Sequence, residues 1–476
     1  MLNEFNNTIV KNTPIVLVNP PANKLVEEFD SPPFGHLGLA YLGAALRKAG
    51  IDCVILDAKC GRLKYEDVVK AITLMKPKIV GVSSYTHEIN IVESLIKEIK
   101  QLLPSCRTII GGSHASSLPQ DTLHAYSCFD YLVKGEGEET LVNLANAILD
   151  GHEDKIQFIS GVGYRKNDNC VVVNESEWIQ NPDSLAFPAW DLFPEFNVFP
   201  VISSRGCPYK CIFCARMMGN KIRTRSPENV IAELKYLNNQ FGAKKIVFFD
   251  ETFGYYGKWL EQFLSLMISS GMNKKLQWSI ITRAQVLNDD VVGKLKKAGC
   301  TKIDFGVESG NDKILKIINK GETKEDFVRA AKLIKKSGLE SHSYFILGHP
   351  YETKETAMDT INFAAQLNTD FISIGIMIPY PGTEVAKLAA LGLGGYTKLS
   401  TAWEDYNKQL GNALELQFIS RTDLTKLQLL GYLKFYAKNV KIKSFVITGW
   451  KYRRLILAII MKYVKGNWDR VNRGSG

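Results

Sequence analysis

The stretch SSRGCPYKCIFCARMMG, Ser203–Gly219, places Cys207, Cys211 and Cys214 within eight residues in the spacing CxxxCxxC. It overlaps the end of FPVISS (Phe199–Ser204), an apolar run that reads as a strand, so the three thiols fall on a loop at a strand's carboxyl end. Thiols gathered in this way bind zinc, an iron–sulfur cluster or nothing. Structural zinc takes four ligands, usually as two close pairs, and no second CxxC or HxxxH follows downstream. A 4Fe–4S cluster ordinarily takes four thiolates, so three leave one iron open to a substrate or cofactor.

Downstream of the loop the chain keeps alternating strand and helix. Strands are expected at KKIVFFD (Lys244–Asp250), LQWSII (Leu276–Ile281), TKIDFGVE (Thr301–Glu308), ESHSYFIL (Glu340–Leu347) and FISIGIMI (Phe371–Ile378). With FPVISS they make six βα units over residues 196–390, which suits a partial parallel barrel with its chemistry at the strands' carboxyl ends. After about Leu391 the strands are expected to stop, leaving a helical region over 391–476.

Upstream, residues 1–151 show the same rhythm. PIVLVNPP (Pro14–Pro21), DCVILDA (Asp52–Ala58), PKIVGVSSYT, RTIIGGSHA and the start of DYLVKGEGEET read as strands, with helical spacing between them. Strict alternation predicts a doubly wound parallel sheet, with ligands at the carboxyl ends of its strands. The polar and glycine-rich ends there are Ser83-Ser84-Tyr85-Thr86, Gly111-Gly112-Ser113-His114 and Gly135-Glu136-Gly137. Residues 152–195 read as a β-hairpin followed by a linker rich in proline and aromatics.

Composition sets the setting. The chain has 476 residues, 45% of them apolar, enough for large cores, and no run of eighteen uncharged apolar residues. The start, MLNEFNNTIVKNTP, has no signal-peptide pattern, and the nine cysteines show no paired framework, so a reducing, cytoplasmic location is expected. Net charge is +10, with basic and aromatic residues interleaved around LILAII from Lys434 to Arg473. That tail reads either as a helix packed on the body or as a peripheral contact to an anionic membrane.

The cysteine loop resembles the signature loop of the radical S-adenosylmethionine (SAM) superfamily, down to the aromatic Phe213 before the third cysteine. The resemblance implies that Cys207, Cys211 and Cys214 ligate a 4Fe–4S cluster whose open iron is chelated by SAM. Reductive cleavage then gives methionine and a 5′-deoxyadenosyl radical. It also implies SAM contacts at Asp250 and Glu251 in FFDETF, Arg283 ending WSIITR, and Glu308 with Ser309 in DFGVESG. For the FFDETF turn a helix N-cap is the alternative. YFILGHP and IMIPYPGT imply walls for the adenine.

The front half resembles the cobalamin-binding domain that precedes many radical SAM modules, through VNPP, GLAYLGAALRKAG, VGVSSYT, IIGGSHAS and KGEGEETL. This implies cofactor contacts from Ser83, Ser84, Thr86, Gly111, Gly112, His114, Gly135 and Glu136. The Asp-x-His-x-x-Gly motif of histidine-ligating domains is absent from PPANKLVEEFD (Pro20–Asp30), so cobalt ligation by histidine is not expected. A front domain that only shapes a substrate cavity is the alternative.

Together the resemblances imply a cobalamin-dependent radical SAM methyltransferase acting on an unactivated carbon of a small-molecule or lipid-like substrate. The rival is ring closure, ring rearrangement or carbon–carbon coupling on the same cluster, as in relatives that form the isocyclic ring of bacteriochlorophyll. An external electron donor of flavodoxin or ferredoxin type is implied. Transfer RNA methylthiolation needs three further cluster cysteines that Cys53, Cys60, Cys106 and Cys128 do not arrange, so no nucleic-acid partner is expected.

Overall fold

The computed structural model describes residues 13–22, 32–167, 170–407, 412–440 and 450. The basic tail beyond Val440, Trp450 excepted, and most of PPANKLVEEFD lie outside the described residues.

The front sheet has seven strands. β1 (Ile15–Asn19), β2 (Cys53–Asp57), β3 (Ile79–Ser83), β4 (Arg107–Gly111) and β5 (Tyr131–Val133) are parallel. β6 (Val162–Asn167) and β7 (Cys170–Val173) are antiparallel, in the spatial order β2-β1-β3-β4-β5-β6-β7. The expected hairpin after residue 151 therefore extends this sheet. Alternate residues feed two cores. Ile15 and Leu17 pack with the helices Leu37–Lys48 and Glu138–Leu149, while Val16 and Val18 pack with Tyr65–Met75 and Ile89–Leu102. Each buried aliphatic side chain contributes about 1.5–3 kcal/mol, so both faces resist a register slip.

The second sheet holds six parallel strands: β8 (Val198–Val201), β11 (Lys245–Phe248), β12 (Gln277–Thr282), β13 (Cys300–Glu308), β14 (Glu340–Leu347) and β15 (Phe371–Ile376). Their order, β15-β14-β13-β12-β11-β8, is that of an open barrel wall. Between β8 and β11, the two-residue strands β9 (Ser204–Arg205) and β10 (Arg223–Thr224) pair antiparallel and close the cysteine loop. On β13, Ile303, Phe305 and Val307 are fully buried against the outer helices, whereas Lys302, Asp304 and Gly306 alternate onto the concave face.

The edge strand β15 is covered by the helix Arg421–Lys438. Ile374 N donates to the Tyr432 hydroxyl at 3.0 Å and Ile374 O accepts from Gln428 Nε2 at 2.6 Å, which satisfies an otherwise open strand edge. Gly431 faces Ile374 so closely that a Cβ there would sit 2.5 Å from its Cδ1. The C-terminal region is not helical throughout: β16 (Tyr396–Leu399) and β17 (Leu414–Leu416) form a hairpin. Its anchor is Tyr396, buried at 2% exposure, whose hydroxyl donates to Gly348 O at 3.1 Å. That contact joins residues 48 apart, which local spacing does not encode.

Candidate functional site

The cysteine loop is held on both flanks. On the barrel side, Ile212 N donates to Ile318 O at 3.2 Å, Val385 N to Ile212 O at 3.1 Å, and Asn319 Nδ2 to Lys210 O at 3.0 Å. On the front-domain side, Ser117 Oγ lies 3.6 Å from Met217 Sδ. Cys211 is buried, Cys207 half-buried and Cys214 exposed, and all three are free thiols. The Cys214 thiol hydrogen-bonds to Cys211, and Lys320 and Arg283 add positive charge, so the Cys211 thiol is pulled down to about 6. The donor set fits an iron–sulfur cluster. Among the described residues no three thiol, imidazole or carboxylate groups converge tightly enough for a single ion. Three thiols on one short loop, with the Arg283 guanidinium 3.6 Å from Cys211 Sγ, suit a cluster that carries negative charge.

Behind Cys211 lies a buried ionic chain that sequence reading found only in part. Arg283 ends β12, with Nη1 3.6 Å from Cys211 Sγ and its guanidinium 3.8 Å from the Tyr209 ring centre. Its Nη2 pairs with Glu322 at 3.1 Å and donates to Lys320 O. Lys320 Nζ in turn lies 3.3 Å from Glu308 and 3.5 Å from Glu322. Burial works against the Lys320 charge, but Glu308 and Glu322 more than offset it and raise its pKa. Glu308 ends β13 at φ +68°, a left-handed conformation rare for a side-chain-bearing residue. A Cβ on Gly306 would come within 2.1 Å of the Glu308 carboxylate, so only glycine lets that carboxylate fold back toward Lys320. Lys320 and Glu322 went unread; their one local signal is NKGET, where Asn319 (φ +53°) and Gly321 (φ +69°) flank the lysine with left-handed backbone.

The strand-two turn divides its labour. Asp250 is buried and accepts from Ser203 Oγ and Ser204 Oγ, both at 2.6 Å, and from Ser203 N at 3.1 Å. It braces β8 to β11 through hydrogen bonds to both of its oxygens. Glu251 is exposed, yet partial desolvation among its neighbours pushes its carboxyl up to about 7. Thr252 Oγ1 lies 3.7 Å from Cys207 Sγ. Ser309 is fully buried, 3.1 Å from Thr360 Oγ1, and serves the turn itself.

In the front domain the turns after β3, β4 and β5 are knitted together. Ser84 N donates to Gly111 O and His114 N to Ser84 O, each at 3.1 Å, and Gly135 N donates to Ser116 Oγ at 3.0 Å. Gly112 sits at φ +91°, and a Cβ there would lie 2.8 Å from Ser84 N. A Cβ on Gly111, by contrast, meets nothing nearer than Val133 O at 3.7 Å, which leaves room above that turn. Thr86 is buried in the next turn, and Ser83 Oγ lies 3.4 Å from His36 Nε2. His36 accepts from Leu39 N at 3.1 Å as a helix cap. His114 is 1% exposed, its ring 5.3 Å edge-on to Trp403 from the C-terminal region, and burial pulls it down to about 4. Neither imidazole is presented as a cobalt ligand. The turns offer backbone groups and hydroxyls, donors that fit a cobalamin held without histidine ligation. Glu136 lies elsewhere, buried between Arg205 and Arg223 of the strand pair that closes the cysteine loop.

Below the mouth, Glu352 accepts from His349 N at 3.3 Å and from Gly348 N, while its Oε1 is buried without a partner. Burial pushes its carboxyl from 4.5 up to about 8, against the pull of those two N–H groups. The folded chain therefore holds a proton that the unfolded chain releases, and stability falls as pH rises between those values. The melting temperature is expected to decline from about pH 5 to about pH 8, and Glu352→Gln to flatten the decline. Parallel curves for both proteins would remove Glu352 as its source.

Comparisons with known proteins agree with this layout. A model of the radical SAM superfamily matches residues 201–364, and one of the B12-binding domain matches residues 32–145. An uncharacterized methyltransferase of Pyrococcus horikoshii is 31% identical over 462 residues, 94% of this chain and 98% of that protein. An anaerobic magnesium-protoporphyrin IX monomethyl ester cyclase of Cereibacter sphaeroides is 27% identical over 91% of this chain and 72% of that protein. The fold matches the methyltransferase TsrM of Kitasatospora setae, solved with cobalamin and a [4Fe-4S] cluster, at TM-score 0.69 and 19% identity, covering 87% of this chain and 91% of that one. It also matches OxsB, solved with aqua-cobalamin and SAM, at TM-score 0.73 and 17% identity, covering 95% and 73%. Among the described residues no helix is long and apolar enough to cross a membrane. With its cysteine loop on a six-stranded open barrel and its cofactor-type sheet in front, the chain belongs to the cobalamin-dependent enzymes of the radical SAM superfamily.

Proposed function

We propose that this enzyme methylates an unactivated carbon of a small-molecule or lipid-like substrate, with electrons from an external reductant. When bound, the cluster supplies the electron that cleaves SAM, and cobalamin supplies the methyl group. Cys207, Cys211 and Cys214 hold the cluster, with Arg283 and Lys320 balancing its negative charge. Glu251 accepts from the SAM ammonium group, and Glu308, anchored by Lys320, faces the ribose. Ser83, Ser84 and Thr86 with the Gly111–Gly112 turn hold the corrin and its tail. The observation that carries this reading is the abutment of the two carboxyl-end surfaces, where Ser117 beyond the Gly-Gly turn meets Met217 of the cysteine loop at 3.6 Å. Cofactors seated on those surfaces share one recess.

Ring closure without net methylation is the second reading, favoured by the 27% identity to the cyclase over 91% of the chain. One anaerobic experiment separates the two. The reconstituted enzyme is incubated with SAM bearing a CD3 methyl, a reductant, cobalamin and a small-molecule extract of its host. The expected result is a CD3-labelled product that requires cobalamin, with 5′-deoxyadenosine and S-adenosylhomocysteine formed alongside. A consumed substrate whose product carries no label overturns methyl transfer and leaves the cyclase reading.

A further inference from the structure

We propose that the front domain clamps the cysteine loop through a buried ionic lattice of Glu136, Glu138, Arg205 and Arg223. Glu136 at its centre is then a positioning residue for the cluster ligands and makes no contact with its own domain's cofactor. The inference rests on the reading that Cys207, Cys211 and Cys214 hold the cluster.

The loop begins and ends on β9 and β10, where Arg205 and Arg223 are directly paired across the strands. Both arginines reach into the front domain and meet on one carboxylate. Glu136 Oε1 accepts from Arg205 Nη1 at 3.1 Å and from Arg223 Nη2 at 3.0 Å. Its Oε2 accepts from Arg223 Nη1 at 2.6 Å and from Ile179 N at 2.8 Å. A carboxylate has about four acceptor sites, so none remains for a corrin or its tail. Arg205 Nη2 also donates to Glu138 at 2.6 Å. Two carboxylates balance two guanidiniums, and all four side chains are 4–9% exposed. Tyr41 covers Arg205 and Trp178 covers Arg223, at 5.0 and 5.3 Å from their ring centres.

The lattice reaches the loop backbone itself. Arg223 Nη2 donates to Met218 O at 2.8 Å, four residues from Cys214. Cys207 N donates to Gly219 O at 3.2 Å and so shares the cinched base. Gly206 stands at φ +91°, where a Cβ would come within 2.2 Å of Lys221 O, so the base is too tight for any other residue. Glu136 thus lies two contacts from the ligand loop, through Arg223 to Met218.

The test uses the full chain carrying Glu136→Gln, reconstituted anaerobically beside wild type, Cys211→Ala and Glu139→Gln as an exposed neighbour. Iron release to a ferrous chelator, the electron paramagnetic resonance spectrum of the reduced cluster, and cobalamin binding by visible absorbance are read on each. Loss of a residue that orients a metal ligand costs about 10–100-fold in metal affinity. Glu136→Gln is therefore expected to release iron about tenfold faster than wild type and to alter the spectrum. Cobalamin affinity and the Glu139→Gln chain should stay unchanged. Wild-type iron release with weakened cobalamin binding would overturn the proposal and return Glu136 to the cofactor. Should Glu136→Gln fail to fold, Arg223→Lys keeps the charge but loses the two-pronged grip, and a wild-type release rate there would overturn it equally. Iron retained by Cys211→Ala at the wild-type level would instead sink the cluster assignment beneath it.

Discussion

Cys211→Ala is expected to leave the chain folded, to strip most of the iron from the reconstituted protein, and to lower SAM cleavage to the protein-free rate. Five other cysteines lie in environments that oppose a thiolate. Burial pushes Cys53, Cys106 and Cys128 up to about 11, and Cys60 and Cys300 up to about 12. Cys211 goes the other way, to about 6, because Cys214 donates to it and Lys320 and Arg283 stand behind it. A metal site that loses a residue behind a ligand weakens by about 10–100-fold, and loss of the ligand itself should exceed that. The loop's backbone anchors at Ile318, Val385 and Gly219 do not involve the Cys211 side chain, so the fold should survive. Iron and sulfide analysis, the reduced-cluster spectrum and 5′-deoxyadenosine production check the result together. A variant that keeps its iron and its SAM cleavage would show that Cys211 is not a ligand.

Much of the architecture was open to reading because its signals are local. Alternation of strand and helix marks the parallel strands of both sheets, and the eight-residue cysteine spacing marks the loop. The site's wiring was harder to read, because its partners lie far apart in the chain. Arg205 meets Glu138 across 67 residues and Arg223 meets Glu136 across 87, and periodicity carries no trace of either pair. Asp250 is a further case of long-range wiring. Its place in FFDETF points to a ligand contact, and local spacing gives no sign of the hydrogen bonds it accepts from Ser203 and Ser204, 47 and 46 residues earlier. The strand β16 was missed for a similar reason, since YTKL has little alternation of its own and is seated by Tyr396 reaching Gly348.

Lys320 is the residue where site and stability meet, and Lys320→Met should damage both. The substitution keeps the length of the stem and deletes the charge. Two buried carboxylates then face one cation: Glu322, 0% exposed at its side chain, keeps Arg283 at 3.1 Å, while Glu308, 11% exposed, loses its ion-pair partner. Removing one partner of a buried ionic group costs about 3–5 kcal/mol, because the carboxylate left behind stays desolvated. At about 2–4 °C per kcal/mol for a domain of 150–250 residues, the melting temperature should fall by about 6–20 °C. Adding Glu322→Gln removes the excess negative charge, so the double variant should recover part of the loss, and a double-mutant cycle measures how much. The catalytic effect need not recover with it. Glu308 ends its strand in a left-handed conformation with Lys320 as its ion-pair partner, and without the ammonium nothing charged holds its carboxylate over Gly306. SAM cleavage should then stay impaired in the double variant while its melting temperature rises. Equal recovery of both would mean that Lys320 acts on the reaction only through the fold. A Lys320→Met chain that melts with wild type would show that these carboxylates do not need its charge.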